Sequence, residues 1–127
     1  MWHLDEQAFK QRTRNLALRV IRLAESLPQK PSTAVIGKQL IRCATSVGAN
    51  YRSACRAKSV ADLIAKLSIV EEEADECLYW LELLVESGAI PDGKVTSLMV
   101  ETNEILSMTV ASIKTLRHKK ANPKSKI

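Results

Sequence analysis

The sequence predicts an all-α fold, an antiparallel up-down-up-down four-helix bundle. Three observations carry this. Apolar residues recur at intervals of three and four over four long stretches. No strand-like alternation of useful length interrupts them. Gly and Pro number only four each, and they gather in two breaks with turn chemistry, "LPQKPS" (27–32) and "SGAIPDG" (87–93).

The first helix is expected over about 5–27. Phe9, Leu16, Val20, Leu23 and Leu27 fall on one face, and Pro28 stops the run. The second is expected over about 33–57, capped by Ser32, with Ile36, Leu40, Cys43, Val47 and Ala54 inward. A subtler break at "AKSVAD" puts Ser59 three residues ahead of Asp62, which pairs an N-cap with an acid in the first turn. The third helix then runs over 60–87 and Gly88 closes it, with Leu63, Leu67, Val70, Ala74, Leu78, Leu81 and Val85 on its apolar stripe. The fourth is expected over 92–118 through Val95, Leu98, Thr102, Ile105, Thr109 and Leu116. Helices of this length reach about 35–42 Å at 1.5 Å per residue, and short loops between them favour antiparallel neighbours. Residues 1–120 make one domain, and 121–127 form a basic, frayed tail.

Composition narrows the function. No apolar run approaches the ~20 residues needed to span a bilayer, and "MWHLDEQAFK" has no signal-peptide core, so a soluble cytoplasmic protein is expected. Cys43, Cys55 and Cys77 are odd in number and lack a Cys-x-x-Cys spacing, which points away from disulfides and structural zinc. Carboxylates along a helix raise the idea of a di-metal site. That chemistry needs Glu-x-x-His pairs, and neither His3 nor His118 stands three residues after a Glu. A phosphate-cradling glycine loop, a nucleophile elbow and a Cys-His pair are equally missing, so no enzyme, metal or cofactor is predicted.

Charge is the informative feature. The net charge of +5 hides a division into three blocks. Residues 1–59 carry 11 basic and 3 acidic side chains, 60–104 carry 2 and 11, and 105–127 carry 6 and none. On the second helix Lys38, Arg42, Arg52 and Arg56 share a stripe opposite the apolar face. A solvated face is the plain explanation. Arginines at regular spacing with no acid between them fit a contact surface for an anionic partner better. On the third helix Glu71, Asp75 and Glu82 line one margin of the apolar stripe, while Glu73 and Trp80 lie on another flank. Gly48, in "ATSVGAN", is expected to permit close helix approach, and Asn50 to hydrogen-bond across the bundle. Tyr51 and Tyr79 read as core or interface aromatics, since 4% aromatic content is thin for recognising bases by stacking.

The stretch "SVGANYRSACRAKSVADLIAKLSIVEEEADECLYWLELL" (46–84) resembles the four-helix-bundle family of proteins encoded within intervening sequences of bacterial large-subunit ribosomal RNA genes. The resemblance is densest over about a third of the chain. It implies a homopentamer with a central pore, no known catalytic activity and a suspected affinity for nucleic acid. The family also looks related to accessory proteins of diversity-generating retroelements, basic pentamers that associate with a reverse transcriptase and nucleic acid. Those relatives lack an acidic block like "EEEADE", which favours the intervening-sequence branch.

Resemblance and charge together predict assembly into a ring, in which one face of each subunit meets a different face of the next. Lys38, Arg42, Arg52, Arg56, Glu71, Asp75 and Glu82 are the expected interface residues. Arg12, Arg14, Arg19, Arg22, Arg117, Lys119 and Lys120 are then left for the phosphates of RNA or DNA. The rival reading is a scaffold that binds a protein such as a reverse transcriptase.

Overall fold

The computed structural model describes residues 5–121, and all regular structure among them is helical. α1 spans Glu6–Glu25, α2 Pro31–Ala54, α3 Val60–Glu86 and α4 Thr96–Ala121, with one 3-10 turn at Asp92–Lys94 ahead of α4. No helix is long and apolar enough to cross a membrane.

Local chemistry sets each boundary. Asp5 caps α1, its Oδ1 accepting the Ala8 N–H at 3.1 Å. At α2 the expected Ser32 cap is displaced. Pro31 takes the first helical position, where its fixed φ suits the helix and its missing N–H costs nothing, so Lys30 becomes the N-cap. Thr33 then ties the turn, accepting the Lys30 N–H at 3.2 Å while its hydroxyl donates to the Pro28 carbonyl. Ser59 caps α3 as its spacing to Asp62 predicts, with Oγ accepting the Asp62 N–H at 3.0 Å. The Asp62 carboxylate lies below its ordinary range because the Lys58 N–H donates to it, with Lys66 Nζ adding a second bond at 2.9 Å. Gly88 follows the end of α3 at φ +77°, a left-handed conformation that glycine adopts without strain. The fourth helix starts later than expected. "PDGK" closes a single 3-10 turn, and Val95 at φ −121° leaves the helical region before α4 begins.

The four helices share one core. Phe9, Leu16 and Val20 of α1 meet Leu40, Val47 and Tyr51 of α2, Leu67, Val70, Leu81 and Leu84 of α3, and Ile105 and Ile113 of α4. Contacts join α1 to α2, α2 to α3 and α3 to α4, and a lighter set joins α1 to α4. The register between α1 and α2 falls steadily: the Phe9 ring meets Tyr51 edge-on at 4.6 Å, Thr13 faces Gly48, and Ala24 faces Gly37. Between α1 and α4 it falls likewise, Arg12 meeting Glu101 and Arg19 meeting Ser97. The buried hydroxyls of Thr13, Thr102 and Thr109 donate to carbonyls four residues earlier, so each is satisfied within its own helix.

Two sequence expectations change in detail. Asn50 does not reach across the fold; its Nδ2 donates to the Ser46 carbonyl at 2.8 Å and to Ser46 Oγ at 2.9 Å, both within α2. A polar amide one turn from a serine finds its partners locally. The buried stripe of α3 is also rotated from the expected arc. Cys77 and Leu84 are fully buried, whereas Leu78 and Val85 are only half-buried. That rotation decides which acids can meet α2.

Candidate nucleic-acid interface

The rotated stripe of α3 brings Glu73 and Glu76 to the α2 side, and there Arg42 takes both. Its Nη1 lies 3.3 Å from each Glu73 oxygen, and its Nη2 is bonded to Glu76. Trp80 Nε1 donates to the same Glu76 oxygen at 2.9 Å. The indole bond first, and Arg42 second, hold the Glu76 carboxyl below its ordinary range. Arg42, expected at a subunit interface, is therefore engaged within its own chain. Below this clamp the Cys43 and Cys77 thiols touch at 3.0 Å in the core.

Arg12 is also engaged internally. It was expected among the unpaired cations, but its Nε and Nη2 grip the two Glu101 oxygens at 3.0 and 2.7 Å, and Nη2 reaches Glu104 at 2.8 Å. Helical-wheel reasoning on α1 could not see this, because the partners lie 89 and 92 residues away on α4.

The other expected nucleic-acid residues fall into three places. Arg19 and Arg22 line a shallow pocket between α1 and the start of α4, where they are joined by Lys94. Arg19 Nη2 donates to Ser97 Oγ at 3.0 Å, and no acid lines the pocket. Lys94 is the residue sequence reasoning missed; it stands in the turn after Pro91 and only the fold carries it to α1. Arg14 lies on a second groove, of about 430 Å³, between α1 and α2, together with Lys10 and Arg52. Ala17, Thr45, Gly48 and Ala49 also line it. Arg117, Lys119 and Lys120 are exposed on the last turn of α4. Counted along α4 from Thr96, just after Lys94, they lie about 32–36 Å away at 1.5 Å per residue, so the structure does not gather all the expected cations into one patch. The tail residues 122–127 lie outside the described residues.

Of the remaining expected interface residues, Lys38, Arg52, Arg56, Asp75 and Glu82 are exposed and Glu71 is half-buried. None of these six carries an ion pair among the described residues. No acid occurs anywhere between Glu25 and Asp62, so α2 offers its cations no partner of its own. Tyr51 is a core aromatic, and Tyr79 is 54% exposed with its ring edge-on to Trp80 at 5.1 Å.

No curated protein matches this chain. A crystal structure at 1.70 Å from Bacteroides thetaiotaomicron, a protein of unknown function from the S23 ribosomal protein family, is 35% identical, with a TM-score of 0.80. The match covers 87% of this chain and 99% of that one. The family model for the 23S rRNA-intervening sequence protein matches residues 5–111, nearly the whole described fold. The matched residues take in α1, α2, α3 and the greater part of α4, and the chain belongs to the 23S rRNA-intervening sequence protein family.

Proposed function

We propose that this protein is a non-catalytic, antiparallel helical bundle that associates with copies of itself, as a ring in the manner of a pentamer, and binds RNA through its exposed cations. The observation that carries the reading is the set Arg22, Lys38, Arg56 and Lys94: exposed, drawn from α1, α2, the connection after α2 and the turn before α4, and without an ion pair among the described residues. Cations left unneutralised by their own fold raise a positive potential that draws in polyanions. The name of the family, which refers to ribosomal RNA, supports RNA over DNA as the first ligand to test. The falling registers of α1 against α2 and α4 support the up-down topology.

Phosphate contacts release counterions, so affinity for a structured RNA should fall steeply with salt. Neutralising Arg19, Arg22 and Lys94 together should weaken binding evenly across RNA sequences and flatten the salt slope by roughly 0.7–0.9 per lost contact. Neutralising Arg117, Lys119 and Lys120 tests the other end of α4 in the same way. Absence of binding at low salt sinks the reading and leaves a scaffold for a protein partner, of which a reverse transcriptase is one.

A further inference from the structure

We propose that the α1–α2 groove of one copy receives the outward face of α3 of a second copy, with Tyr79 seated on the small-residue floor and the α3 acids facing Arg14 and Arg52. This rests on the self-association reading and names the two faces that meet.

The groove has an unusual combination of features. Its floor is made of Ala17, Thr45, Gly48 and Ala49, side chains too small to fill the space between two packed helices. Its rim carries Lys10, Arg14 and Arg52, and no acid lines it. Lys10 has only a long contact to Glu6, 3.7 Å, and Arg14 and Arg52 have no ion pair at all among the described residues. An occupant matched to this site is a bulky ring on a convex, acidic ridge.

The outward face of α3 answers that description. Tyr79, 54% exposed, is its most open large hydrophobic side chain, and its ring stands edge-on to Trp80. Glu72, Asp75, Glu82 and Glu86 stand seven and four residues before Tyr79 and three and seven after it, the positions that surround it on a helix surface. All four are exposed and none has an ion pair among the described residues, because Arg42 takes up only Glu73 and Glu76. Between Lys66 and Lys94 the chain has no cation that could neutralise them. Apolar ring and acids on one face, small floor and cations on the other, are complementary in shape and in charge. The two faces differ, so the contact is heterologous and repeats from copy to copy.

Two double variants test this in the full chain: Arg14→Glu with Arg52→Glu, and Asp75→Arg with Glu82→Arg. All four positions are exposed, so circular dichroism should show helix retained in both. Light scattering on the unaltered protein should give a mass several times the 14.1 kDa chain, and each double variant alone should fall toward one chain. Combined in one chain, the four substitutions should restore the mass, since every groove is then acidic and every ridge basic, whatever the number of copies in the ring. Tyr79→Ser, which leaves the charges in place, should also lower the mass. A monomeric unaltered protein overturns the self-association reading together with this inference. An oligomer that persists in both double variants, or a chain with all four substitutions that stays dissociated, overturns the choice of faces and leaves self-association standing.

Discussion

Arg12 of α1 grips Glu101 of α4 with two parallel hydrogen bonds, Nε at 3.0 Å and Nη2 at 2.7 Å, one to each carboxylate oxygen. Both side chains are about a quarter to a third exposed, so water weakens the pair without dissolving it. Its guanidinium is stabilised in the charged form chiefly by the Glu101 bond. The contact matters because α1 and α4 otherwise touch lightly, and a planar fork is the geometry that a lysine cannot reproduce.

Arg12→Met should therefore lower stability by roughly 1–2 kcal/mol, and Arg12→Lys should recover only part of it. Thermal unfolding followed by circular dichroism measures both. RNA affinity should change less than after loss of Arg19 or Arg22, since the charge of Arg12 is already balanced by Glu101 and Glu104. An Arg12→Met protein with unchanged melting and strongly reduced RNA binding would assign this residue to the ligand instead of to the fold.

The Arg42, Glu76 and Trp80 cluster gives α2 and α3 a pH dependence. Glu76 is held below its ordinary value of 4.5, so its contribution is complete above that pH and is lost as pH falls through the lower folded value. Glu76→Gln should cost about 0.5–1 kcal/mol at pH 7, because the group is part-exposed, and the difference from the unaltered protein should shrink as pH falls through the lowered folded value. Denaturant unfolding over a descending pH series from pH 7 checks it. A gap that does not shrink with acidification would mean that the indole contact alone, without the charge, does the stabilising.

Most of the core was legible in the sequence because helical periodicity depends only on local spacing. Phe9, Leu16, Val20, Leu40, Leu67 and Ile105 were placed inward by position alone, and all are buried. What was not legible depended on rotation and on distant partners. A modest turn of α3 buried Cys77 and Leu84 in place of Leu78 and Val85, and the same turn carried Glu73 and Glu76 to Arg42. Lys94 had no visible role until the chain folded back on α1. Charge segregation was readable from the sequence; which cations stay free was not, because Arg12 and Arg42 find acids at separations that a helical wheel does not span.

The paired thiols make a prediction about reactivity. Cys43 and Cys77 are fully buried, and both the contact with Cys43 and desolvation push the Cys77 thiol up, away from the reactive thiolate. Cys55 is half-buried and raised chiefly by burial. A maleimide reagent at neutral pH should label Cys55 slowly in the folded protein and the other two only at the rate of unfolding, with mass spectrometry counting the adducts. Fast double labelling under native conditions would show that α2 and α3 separate far more readily than their packing implies.

Glycine to alanine at two positions should have opposite signs, for reasons that contacts alone do not reveal. At Gly48, within α2, an added Cβ would meet Thr13 Oγ1 at 3.5 Å, ordinary van der Waals contact, so the close approach of α1 does not require glycine. Alanine there removes the helix penalty of glycine, about 1 kcal/mol, and Gly48→Ala should raise the melting temperature by several degrees. At Gly88 nothing lies within 4 Å of the added Cβ, yet φ is +77° and a side chain strains the backbone. Gly88→Ala should cost about 1–2 kcal/mol despite the open space, and Gly88→Asn less, since asparagine tolerates the left-handed region better. Thermal melts of the three variants decide it. Equal effects at both glycines would mean that backbone conformation does not control the end of α3, and a destabilised Gly48→Ala would show that the α1–α2 contact has no slack for one methyl group.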